Sequence, residues 1–278
     1  MIKIYKASMG ILIMQNARLY RAPNFSFDDL FRSDDPLEYI QGSFEASEDF
    51  LVLQDPNDDV LSAPIDSQEI WAAGVTYFRS REARMEESES AGNESLYDKV
   101  YEAERPELFF KATSSRARGH RHLVRVRSDS NWNVPEPELT IAVTSSGNLF
   151  GYTIGNDLSS REIEGQNPLY LTQAKVYKGS CSIGPGLVIC EQLPKATVIR
   201  IEIVREGDLV FTGETDLFQI KRGFEELIEY LYKENEFPYG CLLMTGTGVV
   251  PPSSFSLQSG DLIRISVDSL GMLINTVE

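Results

Sequence analysis

The sequence predicts an α+β, mainly β fold, and three observations carry that prediction. Alternating apolar runs at 139–144 and 149–154 bracket the turn residues Ser145-Ser146-Gly147-Asn148. A second such pair, at 199–204 and 209–212, flanks Arg205-Glu206-Gly207-Asp208. Only one long stretch carries a sustained helical stripe: Leu217, Ile220, Phe224, Leu227, Ile228, Leu231 and Tyr232 predict an amphipathic helix over 217–234, packed on the sheets.

Taken in order, residues 1–65 read as a small N-terminal α/β module in which acids outnumber bases. Its apolar run at 9–14 is too short to span a membrane and lacks a small-residue cleavage site, so it reads as a strand. Short helices are expected at 27–31 and 36–39. A break at Asp55-Pro56-Asn57-Asp58-Asp59 separates this module from a second domain over 66–278. That domain opens with Ile70-Trp71-Ala72-Ala73-Gly74-Val75, a buried strand entering a loop.

Residues 78–104 are acid-rich, with Arg79, Arg81 and Arg84 among glutamates and an interruption at Gly92-Asn93, so two helices around a loop are expected. They form either a solvated charged face or a lid over a neighbouring site. Residues 111–127 reverse the sign: Lys111, Arg116, Arg118, Arg121, Arg125, Arg127 and both histidines occur there without an acid. Such a run either pairs with acids inside the protein or draws in an anionic substrate. His120 and His122 read as exposed. Asp157 stands where the second strand of the first hairpin ends, and Ser159-Ser160-Arg161-Glu162 fits a capping box that starts a helix. The sequence closes with a buried strand at 241–244 and a hairpin of 261–267 with 272–277.

With 42 acids against 26 bases in 278 residues, the formal charge is −16. No basic footprint for phosphates exists, so neither nucleic acid nor an anionic membrane is an expected partner. Small solutes and metal ions are. Three unclustered cysteines, Cys181, Cys190 and Cys241, give no disulfide framework or zinc spacing, which fits a reducing, cytoplasmic setting.

The chemistry concentrates at Pro135-Glu136-Pro137-Glu138. Residues two apart in an extended run share a face, so both carboxylates point the same way and repel. A cation between them relieves that repulsion, making the pair half of an oxygen-ligand metal site. The same residues also suit a solvated edge strand whose prolines discourage further pairing. Asp157 supplies a third carboxylate, and three acids suit one side of an octahedral Mg²⁺ or Mn²⁺.

Pro135-Glu136-Pro137-Glu138-Leu139, the run from Gly151 to Glu162, Gln173-Ala174-Lys175 and Ile183-Gly184-Pro185 together resemble the fumarylacetoacetate hydrolase family in order and spacing. The resemblance implies a mixed β-sandwich roll as the catalytic domain and usually a homodimer or higher homo-oligomer. It also implies a divalent cation held by Glu136, Glu138 and Asp157, and a small-molecule 2-oxo acid substrate chelated to it. Arg161 would then meet a distal substrate oxygen, Lys175 would lie beside the keto acid, Thr247 would bond its carboxylate, and Gly74 and Val75 would offer backbone amides.

Members of the family that hydrolyse carbon–carbon bonds carry Asn-Tyr-x-x-His-x-x-Glu after the glycine-containing strand. Here Thr76-Tyr77-Phe78-Arg79-Ser80-Arg81-Glu82-Ala83 has serine for the histidine and alanine for the glutamate, so the usual water-activating pair is absent, with Glu82, Glu86 and Glu87 on the same expected helix as the available substitutes. Arg105-Pro106-Glu107-Leu108-Phe109-Phe110-Lys111, Arg127-Ser128-Asp129-Ser130, Asn167-Pro168-Leu169-Tyr170 and Thr245-Gly246-Thr247 are instead similar to family members that dehydrate 2-keto-3-deoxy sugar acids. That resemblance makes a hydro-lyase the expected activity, with Lys175 as base and either Glu107 or a glutamate of the 78–104 segment as acid. The competing expectations are an acylpyruvate-type hydrolase or 2-oxo acid decarboxylase on the same site, and a non-catalytic protein that binds a 2-oxo acid and a cation.

Overall fold

The computed structural model describes residues 1–45, 48–49, 59–78, 100, 103–190 and 192–278. Its first strands are β1 (Ile2–Ala7), β2 (Gly10–Gln15), β3 (Arg18–Arg21), β4 (Glu48–Asp49), β5 (Glu69–Gly74) and β6 (Glu107–Thr113). Next come β7 (Leu123–Val124), β8 (Asn133–Val134), β9 (Pro137–Val143), β10 (Leu149–Asp157), β11 (Ser159–Ser160) and β12 (Cys181–Ile189). The last are β13 (Val198–Arg205), β14 (Asp208–Asp216), β15 (Cys241–Met244), β16 (Leu262–Val267) and β17 (Gly271–Val277). Helices α1 (Phe27–Arg32), α2 (Pro36–Glu45), α3 (Arg161–Gln166), α4 (Leu171–Lys175) and α5 (Phe224–Tyr232) punctuate them.

One mixed sheet runs in the order β4-β3-β2-β1-β12-β10-β9-β15-β5-β6, with β15 and β5 its parallel pair. A second sheet, β14-β13-β16-β17-β7, packs against it. Leu139, Ile141 and Val143 of β9 meet Ile199, Ile201 and Ile203 of β13 in the apolar layer between the sheets, which α5 closes with Leu227 and Leu231. The opposite face of the large sheet is covered by Phe27, Leu30 and Phe31 of α1 and Ile40 of α2. Every residue of β9 is therefore buried, as a strand sandwiched on both faces must be. The strand-rich, two-sheet fold expected from the sequence is what the chain adopts.

Residues 1–65 hydrogen-bond into this same sheet: Ile2, Lys3 and Ile4 of β1 pair with Ile189, Val188 and Leu187 of β12. Ile4 and Phe27 share one apolar cluster with Ile183 and Leu242. Strands β1–β3 and helices α1 and α2 thus buttress the large sheet along its β12 side. The break at 55–59 lies outside the described residues except for Asp59, and so does most of the acid-rich 78–104 segment. Among the described residues no helix is long and apolar enough to cross a membrane.

Several local expectations are corrected. The helix expected over 217–234 is confined to Phe224–Tyr232, preceded by a 3₁₀ turn at Leu217–Gln219 whose Phe218 N–H is capped by the Asp216 carboxylate. Ile220 instead bridges to Tyr77, so the chain between the two turns is drawn into strand-like pairing before Gly223 starts the helix. The capping box is shifted by one residue. Ser160 caps α3 by accepting from the Ile163 N–H, and Glu162 accepts from the Asn131 N–H at 2.5 Å. β10 runs on to Asp157 rather than stopping at 154. His120 is buried, its Nδ1 accepting from the Ile274 N–H, whereas His122 is half-buried. The basic run pairs internally, with Lys111 on Asp157 and Arg127 on Asp129.

Leu243 on β15 lies fully buried between the two sheets. Leu243→Ala is expected to lower unfolding stability by about 3 kcal/mol in urea titration, the usual cost of a core cavity.

Candidate active site

The β9–β10 register assembles the acids. Gly155 pairs with Glu138 and Asn156 with Pro137, which brings Asp157 level with Glu136, and the Asp157 N–H donates to the Glu136 carbonyl at 3.0 Å. Glu136 precedes β9 rather than belonging to it, yet the two-residue spacing still turns it to the same side as Glu138. Carboxylate oxygens of Glu136, Glu138 and Asp157, one from each, lie within 4.8 Å of one another. All three residues are buried, so the edge-strand alternative does not apply. The Gly246 N–H donates to Glu138 Oε2 at 2.6 Å and fixes that carboxylate.

Three buried cations surround the acids. Lys175, the last residue of α4, donates from Nζ to Glu136 Oε2 at 2.8 Å and to Ser159 Oγ at 2.6 Å, and lies 3.1 Å from Asp157 Oδ2. Arg161, the first residue of α3, places Nη2 2.7 Å from Glu136 Oε1 and Nη1 3.9 Å from Glu164 Oε2. Lys111 of β6 forms an ion pair with Asp157 Oδ1. It also donates to the Leu158 carbonyl at 3.1 Å and the Lys175 carbonyl at 2.6 Å.

In this cluster Glu136, Glu138, Asp157 and Glu164 outnumber Lys111, Arg161 and Lys175 by one charge, all of them buried. The excess falls on Glu138. Burial, then the charges of Asp157 and Glu136, push its carboxyl well above the usual carboxylate range, against the pull of Lys175 and the Gly246 N–H. A hard divalent cation among these oxygens would reverse the imbalance and let Glu138 ionise, so the donor set fits Mg²⁺ or Mn²⁺.

The acids open onto a narrow cleft whose lining includes Gly74, Val75, Arg161, Lys175 and Thr247. Phe109 gives it an apolar wall and faces the Lys175 ammonium at 5.5 Å from its ring centre. Val75 holds φ at +53°, a strained setting for a β-branched residue at the cleft rim. The Thr247 hydroxyl closes its own loop, donating to the Val249 carbonyl at 3.1 Å and accepting from the Val249 N–H at 3.2 Å. Glu107 stands apart from the three acids: it pairs with Gly74 across β5 and β6, with its carboxylate over that glycine.

The sequence reading missed three contributors. Lys111 was legible as a lone charge inside the apolar run Leu108-Phe109-Phe110-Lys111-Ala112, the pattern of a buried, paired lysine. Glu164 follows Arg161 by three residues on one helical face. Ser159, read only as part of a cap, is a hydrogen-bond partner of Lys175.

The family profile described as fumarylacetoacetate (FAA) hydrolase C-terminal matches residues 70–278. A 2-dehydro-3-deoxy-D-arabinonate dehydratase of Saccharolobus solfataricus is 42% identical over 225 residues, 80% of this chain and 76% of that one. A probable 2-keto-3-deoxyxylonate dehydratase of Haloferax volcanii is 45% identical over 236 residues, 84% of this chain and 80% of that one. Among solved structures, a 2-keto-3-deoxy-D-arabinonate dehydratase complexed with magnesium and 2,5-dioxopentanoate superposes with a TM-score of 0.83 at 32% identity. That match covers 100% of this chain and 98% of the other.

Replacing Lys111 strips the buried Asp157 of one counter-charge and frees two backbone carbonyls. Lys111→Met is expected to cost about 3 kcal/mol of stability, as removal of one partner from a buried ion pair does, read from the urea midpoint.

Proposed function

Because the chain belongs to the fumarylacetoacetate hydrolase family, we propose that it is a magnesium-dependent hydro-lyase. On this reading it dehydrates a 2-keto-3-deoxy sugar acid, such as 2-keto-3-deoxy-arabinonate, to a 2-oxo acid semialdehyde. The observation that carries the proposal is the buried triad Glu136, Glu138 and Asp157 with the Lys175 amine within hydrogen-bonding reach of two of its members, at the wall of one cleft. Relatives at 42% and 45% identity, and a solved structure at 32% identity, are named as dehydratases acting on such acids. Ser80 and Ala83, where hydrolytic members carry histidine and glutamate, argue against hydrolysis.

A Mg²⁺ held by Glu136, Glu138 and Asp157 would supply Lewis-acid polarisation of the substrate's 2-oxo oxygen, which acidifies carbon 3. The Lys175 ammonium first sheds a proton to solvent, and the neutral amine then takes the carbon 3 proton, aimed by the tether of its carbonyl to Lys111 and by Ser159. Glu107 gives a proton to the hydroxyl leaving carbon 4, and water departs. Tautomerisation of the resulting unsaturated 2-oxo acid moves hydrogen from carbon 5 into the chain and leaves the terminal aldehyde. Arg161 binds a distal substrate oxygen, and the amides of Gly74 and Val75 receive the substrate end nearest β5. Thr247 bonds the carboxylate after its hydroxyl turns away from Val249. Phe109 and the apolar rim keep bulk water from the carbanion-like carbon 3.

Residues 66–278 carry every member of this site, and β1–β3 with α1 and α2 brace the sheet that bears it. Assembly into a homodimer or higher homo-oligomer belongs to the same reading, supported by the exposed apolar side chains Leu169, Leu209, Val210 and Phe218. A reducing, cytoplasmic setting is supported by three cysteines that form no disulfide.

Incubation with 2-keto-3-deoxy pentonates and hexonates plus Mg²⁺ is expected to yield a semialdehyde, detected by aldehyde trapping and mass analysis. Gain of water or loss of carbon dioxide would point instead to hydrolysis or decarboxylation. Lys175→Met should lower turnover by about 1,000-fold, the scale of a lost general base; near wild-type turnover would remove Lys175 from that role. Because the carboxyl of Glu138 is held above its usual range, its proton must leave before a cation binds. Mg²⁺ affinity is therefore expected to fall as pH drops through that raised value, with proton uptake into buffer on binding seen by calorimetry in two buffers.

A further inference from the structure

Gly74 is the last residue of β5 and Glu107 the first of β6, and the antiparallel register sets them directly opposite each other. Opposed residues in such a pair put their side chains within contact distance on one face. Here only one of the two has a side chain. A Cβ built on Gly74 would lie 2.6 Å from Glu107 Cδ and 3.2 Å from its Cγ, with Oε2 nearer still, and its three closest atoms all belong to Glu107. The glutamate carboxyl therefore occupies the volume that any other residue at 74 would fill. Gly74 is not among the glycines at positive φ, so its backbone conformation does not call for glycine. Space is the reason that remains.

We propose that Gly74 is a positioning residue whose missing side chain seats the Glu107 carboxyl, so that β5 determines where the proton donor stands relative to the cleft. Gly74 itself lines that cleft, between Ala73 and Val75, which also line it. A carboxyl lying over Gly74 is held against a residue that lines the cleft, whereas a carboxyl turned away would leave that glycine for the outer side of β6, the last strand of the large sheet. The clash that a methyl group would cause involves only the far end of a flexible side chain. It is relieved by rotating Glu107, with the strands left in register. The substitution thus separates fold from function: the sheet accepts alanine, and the donor loses its seat. This rests on the reading of Glu107 as the acid of the dehydration.

The test is a two-residue cycle on the full chain with Mg²⁺ and 2-keto-3-deoxy-arabinonate: Gly74→Ala, Glu107→Gln and the double variant. Turnover, KM and the urea midpoint are measured for each. Glu107→Gln is expected to lower kcat by about 100-fold, within the range of a lost general acid. Gly74→Ala should lower kcat by about 10-fold or more, with KM within about threefold of wild type and the urea midpoint no lower, because only proton transfer is misaligned. The double variant should match Glu107→Gln alone. Gly74→Ala at wild-type kcat, or a double variant in which the two losses multiply, overturns the seating role; multiplied losses would mean that the methyl group obstructs substrate instead. Glu107→Gln at wild-type kcat overturns the donor assignment and the positioning role with it. That outcome is recognisable because the glutamine variant, rather than the alanine variant, is the one that stays active.

Discussion

The structure depends on one electrostatic constraint: four carboxylates and three cations are held out of water within a single cluster. Isolated charges cannot be buried at this cost, so each must find partners of opposite sign at close range. Lys175 touches Glu136 and Asp157, Arg161 touches Glu136 and reaches toward Glu164, and Lys111 holds Asp157 from the other side. Even so the cluster remains one negative charge in excess. Glu138, whose nearest donor is a backbone N–H rather than a lysine or arginine, carries the resulting strain in its raised proton affinity. A protein that served only stability would not retain such a buried group on β9, because an apolar residue there would cost less.

The geometry of the sheets makes the cluster possible. β9 and β10 are central strands of the large sheet, so their register cannot slip without turning apolar side chains out of both cores. That register sets Asp157 beside Glu136. β6 brings in Lys111, and the short helices α3 and α4 after β11 bring in Arg161 and Lys175. Lys111 couples these parts, since the same ammonium that pairs with Asp157 also holds the carbonyl of Lys175. Metal ligand and candidate base are thus connected through one buried side chain, and a shift in either is felt by the other.

Much of this was legible in the sequence. The alternating runs gave the two hairpins, and Pro135-Glu136-Pro137-Glu138 followed by Asp157 gave the acid triad, because residue spacing along strands is a strict rule. Pairing across the sheet is not written locally. The antiparallel addition of β1 to β12, which joins residues 1–65 to the large sheet, links positions far apart in the chain. His120 looked exposed beside Arg118 and Arg121, yet its partner is the Ile274 N–H in the final hairpin. The stripe from Leu217 to Tyr232 kept its buried side as expected, but the interruption before Gly223 depended on a bridge to Tyr77 that no periodicity reveals. Lys111 was marked by the apolar run around it, but its partners, Asp157 and the carbonyls of Leu158 and Lys175, lie far along the chain.

The central claim is that the acid triad holds the divalent cation on which dehydration depends. Its most direct test counts Mn²⁺ bound per chain by electron paramagnetic resonance, alongside semialdehyde formation, for metal-stripped wild type and for Asp157→Asn. The account predicts one Mn²⁺ per chain with restored product formation in the wild type, and loss of both in Asp157→Asn. Product formed at the wild-type rate by metal-stripped protein, or by Asp157→Asn without bound Mn²⁺, would contradict it.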